Sequence, residues 1–231
     1  MAKLNTNSNA YIIIYSAILV VIVAFLLAFV YQALKPMQDA NVALDVKKQI
    51  LYSLNIRDLD GAEAEAKYAE VVKAEKDING QQVYACQVGD QQVVVVALKG
   101  MGLWGGISGY VSIHGDETPT VYGAYFNHES ETAGLGAEIK DSQAWQEKFI
   151  GKKVFLDGTQ DVAISIVKKV EDPTTQVDVV TGATLTSNGV NDMIKAGLKD
   201  AGKNAVELFV KMMCTKEPAD STVVEPKAEE E

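Results

Sequence analysis

Residues 11–34 read YIIIYSAILVVIVAFLLAFVYQAL and contain no charged side chain. A helix needs roughly 20 apolar residues to cross a bilayer, and a water-soluble domain has few ways to bury so long a run. Tyr11, Tyr15 and Tyr31 sit near its ends, where aromatic rings favour the membrane interface. The competing reading is a cleaved signal peptide. That would have an apolar core of about 7–15 residues and a small-residue cleavage site behind it, and no A-x-A site follows this run. The segment therefore reads as an uncleaved transmembrane anchor, preceded by a tail at 1–10 and closed by Lys35 and Pro36. Basic residues near the ends set orientation. Here Lys3 on one side and Lys35, Lys47, Lys48 and Arg57 on the other nearly balance.

Behind the anchor, residues 37–80 read as a helical connecting segment. Val42, Val46, Ile50 and Leu54 form an apolar stripe at helical spacing, predicting a helix over 39–55 with Asp39 as its cap. A second helix, rich in Ala and Glu, is predicted over 61–76. The texture then changes. Residues 81–88 and 91–98 are β-rich and flank Gly89-Asp90, a hairpin signal. Strands are expected over 107–114, 121–127, 154–156 and 162–170. Helices are expected over 142–150, over 185–199 with Val190, Ile194 and Leu198 on one side, and over 204–214. This pattern predicts an α+β domain over 81–214, with an antiparallel sheet flanked by helices, and an acidic, solvated tail over 215–231.

A net charge of -10 argues against a nucleic-acid partner, which calls for a basic patch. Cys86 and Cys214 make no CxxC, which disfavours zinc and cysteine-held iron–sulfur clusters. They leave two readings open, one disulfide in an oxidising compartment or two separate buried thiols. His114 and His128 are the only histidines and lack helical spacing, so a metal site is not expected.

Three segments carry chemistry. Asp178-Val-Val-Thr181-Gly182-Ala183-Thr184, followed by Leu185-Thr186-Ser187, is a strand end, a glycine turn and a hydroxyl-rich helix start. Open backbone N–H groups there attract anions such as phosphate; the plainer reading is an ordinary helix cap. Residues 99–106 crowd Gly100, Gly102, Gly105 and Gly106 around Leu103 and Trp104. Glycines permit close backbone approach to a ligand, and the plainer reading is a bend with a core Trp. The spacing is no dinucleotide fingerprint. The third segment, His128-Glu-Ser-Glu131-Thr132-Ala-Gly134-Leu135-Gly136, reads by itself as a polar loop with a satisfied His.

Asp178-x-x-Thr181-Gly182-Ala183-Thr184 resembles the flavinylation motif D-x-x-[ST]-G-A-T of the FMN-binding domain family. In that family the last threonine, here Thr184, is esterified to the FMN phosphate by a dedicated flavin transferase. Glu131, Thr132, Gly134, Leu135 and Gly136 match the family's H-x-E-T-x-G-L-G segment, expected to lie along the flavin. His128 is displaced by one position and inherits no role. With the anchor, the Gly102-Leu103-Trp104-Gly105 segment and the helix around Val46–Leu51, the chain is similar from anchor to terminal helices to the C-type subunits of sodium-translocating NADH:quinone oxidoreductases. The resemblance implies covalent FMN at Thr184, with Asp178, Thr181, Gly182, Ala183, Leu185 and Thr186 around it. It also implies a single-pass protein of the bacterial inner membrane, with Met1 inside and the domain on the periplasmic or outer side. Its partners would be the other members of a multi-subunit membrane oxidoreductase complex, which relays electrons from NADH towards quinone and moves sodium. No catalytic residue is assigned, and no activity of the isolated chain is expected. The G-type subunit of the Rnf-type ferredoxin:NAD oxidoreductase shares the anchor and the motif. An anchored module binding FMN without a relay role, or a purely structural assembly protein, remain as alternatives.

Overall fold

The computed structural model describes residues 8–78, 80–114, 119–159 and 161–201. The expected helix over 204–214, Cys214 and the acidic tail lie outside the described residues.

The first element, α1, runs unbroken over Asn9–Ser53, 45 residues with Pro36 inside. This corrects the expected break at Lys35 and Pro36 and the expected cap at Asp39. A proline removes one helical hydrogen bond and crowds the preceding turn. Here Ala, Leu, Gln, Met and Lys, all good helix formers, follow it through residues 37–51. The apolar run is exposed on all sides, as Ile13, Phe25, Leu27 and Phe29 illustrate, and α1 is long and apolar enough to cross a membrane.

The domain begins within the last turns of α1. Helix α2 (Gly61–Val71) starts on Asp60, whose carboxylate accepts the Glu63 N–H at 2.9 Å. It ends five residues before the expected limit at Lys76, because β1 (Val72–Ile78) already pairs there with β2 (Gln81–Val88). The Ala-, Glu- and Lys-rich composition of this stretch favours helix, but the sheet ladder overrides it. Strands β3 (Gln91–Met101), β4 (Gly106–His114) and β5 (Val121–His128) complete an antiparallel meander in sequential order. The β2–β3 hairpin closes through Gly89-Asp90, with Val88 opposite Gln91.

The sheet is covered on both faces. On one, Val83, Val94, Val96, Leu98, Val111 and Phe126 pack with Trp145, Phe149 and the inner side of helix α5 (Thr184–Ala201). Gly189 allows α5 to approach closely, since a Cβ there would collide with the Met101 carbonyl oxygen. On the other face, the Ser112 hydroxyl donates to the Ser53 carbonyl, the Tyr52 ring packs tilted against Tyr125 at 5.2 Å, and Asn55 Nδ2 donates to the Tyr122 carbonyl at 2.8 Å. The fold is α+β.

After β5 come α3 (Glu138–Asp141), α4 (Gln143–Gln146) and a 3-10 turn (Glu147–Phe149). The strand expected over 154–156 is reduced to a single bridge, Phe155 to Val162. That expected over 162–170 shortens to β6 (Ser165–Val167), which pairs in parallel with β7 (Gln176–Asp178). Extended runs without a long partner do not build a wide ladder, and β7 offers only three residues.

Candidate functional site

The flavinylation-like motif spans the exit from β7 and the start of α5. The Val180 carbonyl accepts the Ala183 N–H at 3.0 Å, closing a turn whose third residue, Gly182, has φ +78°. That is the type II arrangement, which calls for glycine. The Ser187 hydroxyl oxygen accepts the Val180 N–H at 3.0 Å, and the Ser187 N–H donates to the Ala183 carbonyl at 2.9 Å. These bonds fix Thr184 as the first residue of an 18-residue helix. Thr184 is half-buried, Thr181, Gly182 and Leu185 are exposed, and Ala183, Thr186 and Ser187 are buried. The N–H groups of the first helical turn have no carbonyl one turn back, and the helix dipole makes this end positive. An anion held at Thr184 meets both.

Asp178 closes the other end of the motif. Its carbonyl accepts the Trp145 indole N–H at 2.8 Å, and its carboxylate pairs with Lys148 Nζ at 2.8 Å. Trp145 is itself wedged between Phe126 and Phe149, at 5.7 and 5.2 Å. The strand end is thereby tied to the α4 region. A groove of about 430 Å³ lies there, lined by Gly134, Ser142, Trp145, Lys148, Asp178 and Thr181.

The two other candidate segments meet this turn. Residues 102–105 form the β3–β4 loop, closed by the Gly102 N–H donating to the Gly105 carbonyl at 2.9 Å. Its apolar side chains point outward: Leu103 is 47% and Trp104 67% exposed, so Trp104 is not the core residue that the plainer reading anticipates. The Thr132 carbonyl accepts the N–H groups of Leu135 and Ala137, both at 3.1 Å, in a turn carrying Gly134 at φ +72°. Thr132 and Leu135 are exposed. Leu135 lies against the motif turn, since a Cβ on Gly182 would sit 2.9 Å from Leu135 Cδ2.

Glu131 differs from its neighbours. It is buried, with Oε1 accepting the Trp104 N–H at 2.9 Å and Oε2 accepting the Thr186 hydroxyl at 2.6 Å. Burial pushes its pKa up, but hydrogen bonds from Thr186, Trp104 and Leu103, with the nearby His128, outweigh this and hold it below the usual carboxylate range. His128 Nδ1 accepts the Glu131 N–H at 3.2 Å, a local bond three residues apart.

All three candidate segments thus converge on the N-terminal end of α5. Sequence reasoning missed Trp145, Lys148 and Ser187 as supports of the motif. Only Ser187, inside the hydroxyl-rich run, left a signal. The other two act from 33 and 30 positions away.

The FMN-binding domain family model matches residues 102–199, which contain all three segments. The C-type subunit of the Na(+)-translocating NADH-quinone reductase of Haemophilus ducreyi is 30% identical over 84% of this chain and 91% of its own length. The protein of the same name from Neisseria meningitidis serogroup A is 38% identical over 58% of this chain and 47% of its own. Among solved structures, the same subunit from Parabacteroides distasonis superposes with a TM-score of 0.67 at 32% identity, covering 75% of this chain and 96% of that one. With sequence likeness over nearly the whole length of such a relative, the chain belongs to the family of C-type subunits of Na(+)-translocating NADH-quinone reductases.

Proposed function

We propose that this chain holds FMN as a phosphoryl ester on the Thr184 hydroxyl and acts as an electron-transfer subunit of a sodium-pumping NADH:quinone oxidoreductase. The observation that carries this reading is the placement of Thr184. It is half-buried at the head of α5, where first-turn N–H groups would face a phosphate, and the Leu103, Trp104, Leu135 and Leu185 side chains stand exposed on the converging segments. Exposed apolar and aromatic groups of this kind suit the faces of an isoalloxazine ring. Bound FMN supplies the redox chemistry, and the protein supplies placement and electrostatics.

Each group in the chain then has a defined task. The Thr184 hydroxyl is the attachment point and moves no electrons itself. The turn at Gly182 and the Ser187 hydroxyl present it. Lys148 and Trp145 hold Asp178, and with it the strand that leads into the turn. A flavin transferase makes the ester, and other members of the complex supply the NADH and quinone sites. Helix α1 anchors the chain in the bacterial inner membrane, with Met1 inside and the domain on the periplasmic side. Kinship with the C-type subunits favours this reading over a place in an Rnf-type complex.

The test is full-length protein produced together with the transferase. The peptide containing Thr184 gains the mass of one FMN less one water, and the band fluoresces on a denaturing gel. Thr184→Ala loses both and stays folded, since a helix-end hydroxyl is worth only about 1 kcal/mol. A wild-type chain without the adduct under these conditions overturns the reading. A dark band from protein that nevertheless shows a flavin spectrum in solution would indicate a non-covalent binding module.

A further inference from the structure

Glu131 is the only charged side chain buried among the described residues, and its partners come from two other segments. Oε1 accepts the Trp104 N–H, 27 positions away, at 2.9 Å, and Oε2 accepts the Thr186 hydroxyl, 55 positions away, at 2.6 Å. Two glycines make room for it. A Cβ on Gly102 would collide with Oε1, and a Cβ on Gly136 would collide with Oε2 and come within 2.7 Å of the Thr186 hydroxyl. A carboxylate enclosed in this way is costly unless its oxygens are hydrogen-bonded, and charge-assisted bonds are roughly twice as strong as neutral ones. Each oxygen is taken by a protein donor, while Leu103, Trp104 and Leu185 on the segments it joins stand exposed.

We propose that Glu131 is a positioning residue, whose carboxylate clamps the 102–105 loop to the first turn of α5 and so assembles the flavin seat without touching the flavin. The clamp itself rests only on the protein geometry. Its consequence for cofactor loading rests on the assignment of FMN to Thr184. Glycine at 102 and 136 follows from the same device, because the carboxylate occupies the space a side chain there would need.

The experiment uses the full-length chain in detergent, produced with and without the flavin transferase. In flavin-free protein, amide exchange at Trp104 reads the clamp directly. Glu131→Ala speeds that exchange at least about tenfold, as expected for loss of one charge-assisted hydrogen bond, and lowers covalent flavin at Thr184. Glu131→Gln retains slow exchange and near wild-type labelling, because its amide oxygen can accept the Trp104 N–H while its amide nitrogen donates to Thr186. Unchanged Trp104 exchange in Glu131→Ala overturns the clamp. Glu131→Gln labelled as poorly as Glu131→Ala also overturns it, because the charge would then act on the cofactor directly. Should Glu131→Ala fail to fold, Thr186→Val removes one arm alone; it lowers labelling if the clamp holds, and wild-type labelling there overturns the proposal. Absence of flavin from the wild-type chain defeats the Thr184 assignment instead and leaves the exchange result standing.

Discussion

Lys148 Nζ lies 2.8 Å from Asp178 Oδ2, while the indole of Trp145, three residues before Lys148, donates to the Asp178 backbone carbonyl. One aspartate is thus held twice from the same short stretch, once through charge and once through its backbone. The two bonds are not equal. Both side chains of the ion pair are nearly half exposed, 45% and 44%, so water and salt screen it to at most about 1 kcal/mol. The indole is buried among Phe126 and Phe149. Lys148→Met should therefore shift the urea midpoint by less than about 1 kcal/mol equivalent. Trp145→Phe, which loses the hydrogen bond and leaves a gap, should cost about 2–3 kcal/mol. The reverse order would mean that the exposed pair dominates.

Gly182 is constrained by conformation and by space. Its φ of +78° suits glycine, and a Cβ there meets Leu135 Cδ2 at 2.9 Å. Gly182→Ala should destabilise the domain by about 1–3 kcal/mol and reduce labelling of Thr184. Gly182→Asn should be milder than Gly182→Val, since Asn tolerates the left-handed region and a β-branched residue does not. Thermal melts of the three variants check the order, and equal losses in Asn and Val would remove backbone conformation as the cause.

Much of this was legible before any coordinates. The β2–β3 hairpin showed in the alternation around Gly89-Asp90, and α5 in Val190, Ile194 and Leu198, because local turn chemistry and helical period decide both. The turn at the head of α5 showed because Gly182 and the hydroxyl residues lie within a few positions of one another. Pro36 misled because a proline weakens a helix without ending it when strong helix formers follow. The stretch 72–76 misled because backbone pairing with β2, invisible in composition, outweighs the helix preference of Ala, Glu and Lys. The loop that carries Glu131 was legible as a candidate segment, but not the inward orientation of the carboxylate, since Trp104 and Thr186 reach it only through the fold.

The depressed Glu131 pKa predicts an acid-sensitive contribution to stability, which the charge adds to a clamp whose hydrogen bonds a neutral amide also keeps. The folded value lies below the ordinary one, so the unfolded chain takes up the proton first as pH falls. The stabilisation is complete above about pH 5, begins to fade near the unfolded value of about 4.3, and is lost as pH drops through the folded value. Wild type should exceed Glu131→Gln in urea stability at about pH 7, and the gap should narrow towards about pH 3.5. A gap that does not vary with pH would exclude the carboxylate charge as its source.

Cys86 predicts the opposite sign at the alkaline end. It has no exposed surface on β2, and burial pushes its thiol up to about 12. The thiolate is the reactive form, so iodoacetamide under reducing conditions at about pH 8 should leave the Cys86 peptide unmodified in native protein and label it in urea. The raised value also ties stability to pH. The unfolded thiol ionises near about 8.5 while the folded one keeps its proton, so this contribution is full below about pH 8.5 and falls away as pH rises towards 12. Tyr68, raised to about 12 mainly by burial, and Tyr84, raised further by burial and by Tyr110, add to the same loss. Cys86→Ala should therefore flatten the fall in stability between about pH 8.5 and 10.5 without abolishing it. Rapid native alkylation of Cys86 would show that β2 opens to solvent far more readily than its place between β1 and β3 allows.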